Sequence, residues 1–221
     1  ATPWSKRLKL VLALKITKPT MNCTLKQNAH AVILPAFSSL ELSDSVKRFL
    51  SEGGCSILVG ETRSEYVDRR MSQARRSEES RDVLIKFNQQ AKSNSDKILI
   101  AVDQEISGIC RLHDLVESFP SVQELQTISV EEFEILSSRI AKSARELGFN
   151  CFLGPILDIL TGKNPWLSGR TWSKDPHRIS EISSAYIRAI QSNGVAAAAK
   201  HFPGYSNIEL DPATNQDAVM S

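Results

Sequence analysis

The chain has 221 residues, of which 41% are hydrophobic and 24% charged, with a formal charge of +2. That length makes one large domain or two small ones around a substantial core, and the composition is that of an ordinary globular protein. So small a net charge gives no electrostatic case for nucleic acid or a membrane surface as a partner.

Near the N-terminus, Lys6, Arg7 and Lys9 precede the apolar run Leu10–Leu14, which Lys15 interrupts. The run is too short to span a bilayer and has no convincing cleavage site after it. Asn22-Cys-Thr24 matches a glycosylation triplet, a pattern that chance supplies. Ala31–Phe37 is the first strand, irregular at Pro35. Ser43–Leu50 is helical, capped by Ser43 or Asp44 and closed by Gly53-Gly54, and Cys55–Val59 is a second strand. Between Arg63 and Arg81, basic residues alternate with Glu61, Glu65, Asp68, Glu78, Glu79 and Asp82, the pattern of a solvated, salt-bridged helix. Ser77–Lys92 is a long amphipathic helix with Val83, Leu84, Phe87 and Ala91 on one face, and Lys97–Val102 is a third strand.

Ser129 and Glu132 form a capping box for a helix whose stripe is Ile135, Ile140, Ala144 and Leu147, ending at Gly148. Phe152–Leu160 contains a fourth strand. Asp175-Pro176 opens a helix to about Gln191, and Val195–Lys200 is a fifth strand, too apolar to be left exposed. Short apolar strands alternating with helices imply an α/β protein with a parallel sheet. No GxGxxG follows any strand, so a TIM-type (β/α) barrel is favoured over a dinucleotide-binding sheet. About five parallel strands make it a partial or atypical barrel.

The third strand runs directly into Asp103-Gln104-Glu105. Two carboxylates and an amide at the end of an apolar strand are costly to bury unless they bind something. Arg111 follows closely enough to fold back over the same mouth. The fourth strand ends near Asp158, its loop carries Gly169-Arg170-Thr171-Trp172, and the fifth strand delivers Lys200 and His201. Singly, each has a bland reading: Asp158 a cap, Arg170 a surface residue, Trp172 core, Lys200 solvated. Together, an acid, several cations and an imidazole meet at the sheet edge where parallel α/β proteins bind ligands. That set suits a ligand dense in hydroxyls, because Asp accepts from paired hydroxyls while Lys, Arg and His donate to ring oxygens. A phosphate site would want cations and glycine-rich amides without the Asp. The expected partner is therefore a carbohydrate, with no cofactor and no metal site.

These segments resemble glycoside hydrolase family 3, most closely its bacterial β-N-acetylglucosaminidase branch. The pieces that carry the resemblance are Val102-Asp-Gln-Glu105 with Arg111, Gly154-Pro-Ile-Leu-Asp158, Gly169-Arg-Thr-Trp-Ser-Lys-Asp-Pro176 and Lys200-His-Phe-Pro-Gly204, from about Gly53 to Asp211. The resemblance implies that residues 1–221 form a single N-terminal-type α/β domain of that family, with 1–30 as an extension or cover. It also implies a sugar ring held by Asp103, Arg111, Arg170, Lys200 and His201, and retaining hydrolysis through an aspartate nucleophile.

The chain departs from the family pattern where the bond is cleaved. Tyr205-Ser206 stands in place of His-Gly, and Asp211-Pro212-Ala213 in place of the Asp-x-His pair that supplies the acid/base. Asp211 remains as a catalytic candidate, with Glu209 and Asp217 in the same loop. The nucleophile of the family lies on a strand beyond the fifth. The expectation is a glycosidase-like chain with a sugar pocket and little hydrolysis; the alternatives are a non-catalytic carbohydrate-binding or interaction protein, or an inactive truncated form. Five barrel strands leave open sheet edges, so a second chain, self-association or the apolar run Leu8–Ile16 is expected to cover one. Cys23, Cys55, Cys110 and Cys151 show no ligand or CxxC spacing and read as free thiols of the cytoplasm.

Overall fold

The computed structural model describes residues 24–95 and 97–218; the run Leu8–Ile16 and Cys23 lie outside them. In chain order the elements are α1 (Leu25–Ala31), β1 (Ala36–Phe37), α2 (Asp44–Ser51), β2 (Ser56–Val59), α3 (Arg63–Asp68), α4 (Gln73–Glu78), α5 (Arg81–Ser93), β3 (Leu99–Val102), α6 (Val130–Glu146), β4 (Cys151–Phe152), α7 (Pro176–Ser192) and β5 (Ala196–Ala197). The five strands form one parallel sheet in the order β1-β2-β3-β4-β5. An unreversed order is the arc of a (β/α) barrel, whereas a doubly wound sheet turns back at a switch point. The fold is thus the partial barrel that the strand–helix alternation implies.

Local chemistry sets the helices. Ser129 and Glu132 exchange both capping hydrogen bonds at the start of α6, a cap that contributes ~1 kcal/mol. The buried stripe of α6 is Phe133, Ile140, Ala141 and Ala144, while Ile135 faces solvent. Asp175 caps α7 with Pro176 in its first turn, and α7 buries Ile179, Ile182, Ala185, Tyr186, Ala189 and Ile190. In α5 the inward face is Leu84, Phe87, Asn88 and Ala91; Val83, expected on that face, is exposed because it lies about a quarter-turn from the centre of that face. The side chain of Asn88 reaches across to donate to the Leu147 carbonyl.

Three expected strands differ. Ala31–Phe37 is a strand only at its last two residues, because a Thr24–Gln27 capping box opens α1 through Ala31. Pairing then begins where the Pro35 carbonyl accepts from the Leu58 N–H. The fourth strand is Cys151–Phe152, ahead of Phe152–Leu160, since Gly154-Pro155 interrupts it; pairing resumes at Ile156 opposite Lys200. The fifth strand is short, and Ala196, Ala198 and Ala199 are exposed. The reason is topological: β5 is the edge of the sheet, so one side of it meets no strand among the described residues.

Candidate functional site

Parallel pairing in register brings the C-terminal ends of the strands to one edge: Leu58 lies opposite Ala101, Ala101 opposite Cys151 and Cys151 opposite Ala196. The residues just past each strand therefore share a mouth. After β3 the chain folds back as a small antiparallel bridge, Gln104 opposite Cys110, with Gly108 at φ +98° making the turn. The Tyr186 hydroxyl donates to the Gln104 carbonyl at 2.6 Å and pins that turn to α7. After β4 and β5, Leu157 N–H donates to the Lys200 carbonyl at 2.7 Å, which sets Asp158 beside His201.

At the mouth, charges alternate along a chain of contacts. The Lys200 ammonium lies 2.6 Å from Asp103 Oδ1 and 2.7 Å from Glu105 Oε1. Glu105, with a side chain 0% exposed, also accepts from Arg170 Nη2 at 2.6 Å and Nε at 3.2 Å. Burial pushes the Glu105 carboxyl up, but the charge of Lys200 and the hydrogen bond and charge of Arg170 hold it below the ordinary range. Burial likewise acts against the Lys200 cation, and Glu105 and Asp103 outweigh it, so its pKa is raised. Arg170 also stacks near Tyr66 and Trp166, 5.6 and 5.4 Å from their ring centroids.

His201 joins this group from the next loop. Its Nδ1 is 2.7 Å from Asp158 Oδ2, and the other Asp158 oxygen accepts from the Tyr205 N–H at 2.7 Å. Asp158 is fully buried as a side chain, and these hydrogen bonds overcome burial to lower its pKa. Donation from Nδ1 leaves Nε2 as the acceptor of the neutral ring. Trp166 packs on the His201 ring at a centroid distance of 4.7 Å. Among the described residues, Asp103 Oδ2, the third ammonium hydrogen of Lys200 and His201 Nε2 carry no hydrogen bond to protein. They are the valences that a polyhydroxyl ligand would fill.

Asp103, Arg170, Lys200 and His201 are thus assembled at one edge. Arg111 serves a neighbouring carboxylate instead: Nη1 and Nη2 lie 2.7 Å from the two Glu79 oxygens, and Nε donates to the Gly60 carbonyl at 2.7 Å. Asp211 accepts from the Ala213 N–H at 2.7 Å, and its carbonyl accepts from Thr214 and Asn215, so it organises its own turn. Glu209 and Asp217 are exposed. No group of three or more His, Cys, Asp and Glu side chains among the described residues is arranged to hold a metal.

Three carboxylates at this edge are absent from the set read off the sequence: Glu105, Glu79 and Glu61. Glu105 was visible as part of the acidic strand end. Glu79 and Glu65 lie in the stretch that reads as solvated, yet they are 8% and 2% exposed. The helix breaks between α3 and α4, and Arg75 turns inward to bridge Glu65 at 2.9 Å and Glu79 at 2.6 Å. Glu61 follows β2, and its Oε2 is buried without a partner. Burial and the negative charge of Asp103 push its carboxyl up to about 7, against the pull of Arg111. Of the cysteines, Cys151 is buried and Cys55 and Cys110 are half-buried, all free. Burial pushes the Cys151 thiol up to about 11 and, with Glu105, that of Cys110 to about 12.

A barrel arc with a polar, charge-balanced mouth at its strand ends defines the class: a (β/α)-barrel protein with a candidate site where barrels of this kind carry theirs. The model of the glycosyl hydrolase family 3 N-terminal domain matches residues 46–219, and the chain belongs to that family. Similar solved structures include a glycoside hydrolase family 3 β-N-acetylglucosaminidase from Paenibacillus, 27% identical with a TM-score of 0.68, covering 85% of this chain and 35% of that one. Among curated relatives, a β-hexosaminidase from Idiomarina loihiensis is 29% identical over 119 residues, 52% of this chain and 36% of its own length. A β-N-acetylglucosaminidase/β-glucosidase from Cellulomonas fimi is 38% identical over 86 residues, 38% of this chain and 15% of its own. The matched region spans about a third or less of these relatives. No helix among the described residues is long and apolar enough to cross a membrane.

Proposed function

We propose that this chain provides the sugar-holding part of a β-N-acetylglucosaminidase-type glycosidase and binds a terminal β-linked N-acetylglucosamine or similar hexose. The supporting observation is the open valences of Asp103, Lys200 and His201 at one mouth, with their other valences fixed by Glu105 and Asp158. Asp103 accepts from paired hydroxyls, Lys200 donates to hydroxyl or ring oxygens, His201 Nε2 accepts from a hydroxyl, and Arg170 holds Glu105, which holds Lys200. Arg111 supports the same edge through Glu79 and Gly60. This division is pre-organisation: charged groups set by buried partners lose little freedom when the sugar arrives.

Hydrolysis by the chain itself is expected to be weak. The family resemblance puts Ala213 where an acid/base histidine is expected, and loss of such a group costs ~10²–10⁴-fold. A non-catalytic carbohydrate-binding role is therefore the second reading, supported by that residue. Calorimetry with N-acetylglucosamine should give saturable binding that Asp103→Ala abolishes while the fold survives. Unchanged binding in that variant would overturn the assignment of the mouth; brisk turnover of an activated aryl glycoside by the wild-type chain would overturn the low-activity reading. We propose further that a second polypeptide or another copy covers the exposed β5 edge, and that the free thiols suit the cytoplasm.

A further inference from the structure

Glu61 stands between the end of β2 and the start of α3, and its backbone is fixed on both sides. The Gly60 N–H donates to the Phe37 carbonyl at 2.9 Å, and the Gly60 carbonyl accepts from Arg111 Nε at 2.7 Å. Thr62 is the N-cap of α3 and exchanges both capping hydrogen bonds with Glu65. The register that sets Leu58 opposite Ala101 carries Gly60 abreast of Asp103, so Glu61 enters the same mouth from the neighbouring strand. The charged groups that act on its carboxyl are Asp103, Arg111, Glu105 and Lys200, from the end of β3, the chain that folds back from it and the residues after β5.

The other carboxylates described at this edge each have a partner. Asp103 and Glu105 share Lys200, Glu105 also holds Arg170, Asp158 holds His201, and Glu79 holds Arg111. Among the described residues, the Glu61 carboxyl has neither an ion pair nor a hydrogen bond. Glu61 is half-buried; its Oε2 is the sealed, unmet oxygen, which leaves Oε1 as the one open to a ligand. Buried polar groups are nearly always satisfied, and one held by a fixed backbone loses little freedom when a ligand meets it.

Its surroundings also set its proton. An ionised Glu61 would place negative charge on a sealed oxygen without a donor, beside Asp103 and Glu105. The nearby cations are engaged elsewhere, Arg111 with Glu79 and Lys200 with Asp103 and Glu105. Burial and the charge of Asp103 therefore prevail over Arg111 and push the carboxyl up to about 7. The neutral acid needs no countercharge: it turns its carbonyl-type oxygen inward and carries its proton on Oε1 as a donor.

We infer that Glu61 is a specificity-determining residue of the mouth, a neutral carboxyl that donates through Oε1 to a sugar oxygen adjoining the hydroxyls accepted by Asp103. The inference rests on the sugar reading of the mouth and adds to it a further contact and a pH dependence. Calorimetric titration with N-acetylglucosamine at about pH 6 and about pH 8 tests it in the wild-type chain, Glu61→Gln and Glu61→Leu. Only the protonated acid donates, so wild-type affinity should fall about tenfold from the lower pH to the higher. Glutamine carries a donor at both, so Glu61→Gln should lose that fall; whatever His201 contributes is common to the two proteins and cancels. Leucine removes the donor and the unmet oxygen together. Glu61→Leu should fold with an equal or higher Tm at the higher pH, yet bind at least about threefold more weakly than Glu61→Gln at the lower pH. The same pH dependence in wild type and Glu61→Gln, or equal affinity of folded Glu61→Leu and Glu61→Gln at the lower pH, overturns this contact and leaves the sugar reading standing. No saturable binding by the folded wild-type chain at the lower pH overturns the sugar reading, and this contact falls with it.

Discussion

Glu79→Gln is the most informative single change to the fold around the mouth. Glu79 accepts both Arg111 terminal nitrogens at 2.7 Å, Arg75 at 2.6 Å and His113 at 3.3 Å, and the Arg111 side chain is 1% exposed. Neutralising the carboxylate leaves Arg111 a buried, uncompensated cation, a lesion of ~3–5 kcal/mol. Proton linkage gives a similar size. Burial pushes the Glu79 carboxyl up, but hydrogen bonds from His113 and Arg111, the Arg111 charge and the Arg75 hydrogen bond hold it at about 2, against an ordinary 4.5. That difference corresponds to ~3 kcal/mol. Because the folded value is depressed, the stabilisation is complete above 4.5 and drains away as pH falls toward 2. In a chain of this size such a loss lowers Tm by about 6–20 °C. Urea unfolding at neutral pH should show it, with Glu117→Gln as a surface control costing under ~1 kcal/mol. Equal, small losses in the two variants would refute the claim that Arg111 is held by a buried pair.

Glu61 responds to pH in the opposite sense. Its folded value, raised to about 7, means that stability falls as pH rises from 4.5 to about 7, and Glu61→Gln should flatten that fall; an unchanged pH slope in urea midpoints would count against the buried, unpartnered carboxyl. Two glycines at positive φ should separate cleanly. An alanine Cβ at Gly108 would lie 2.6 Å from Glu105 Oε2 and 2.8 Å from Arg170 Cγ, whereas at Gly169 nothing lies within 4 Å. Gly169→Ala should cost ~1 kcal/mol for its backbone alone, and Gly108→Ala clearly more, ~2–4 kcal/mol; the reverse ranking in chemical denaturation would contradict the packing of the β3 turn.

The parallel sheet and the residues at its strand ends were legible because both are local signals. Short apolar runs followed at once by Asp103, or by Lys200 and His201, mark where strands stop and side chains turn into a mouth. Capping chemistry placed α6 and α7 closely for the same reason. What escaped was set by partners distant in sequence. The stretch around Glu65, Arg75 and Glu79 has the composition of a solvated helix, and only Arg111, folded back from β3, makes burial of those acids favourable. The apolar fifth strand reads as buried, but its exposure depends on which strand lies beside it, information that its own residues do not carry. Arg69 and His113 escaped too, since nothing in an Arg-Arg pair or a lone His tells that their backbones turn left-handed.

The central claim is that Asp103, Lys200 and His201 hold a sugar. Saturation-transfer NMR of the chain with N-acetylglucosamine tests it most directly. The account predicts specific transfer to the sugar ring that disappears in a folded Lys200→Ala variant. Transfer that persists undiminished in that variant, or none at all from the folded wild-type chain, would contradict it.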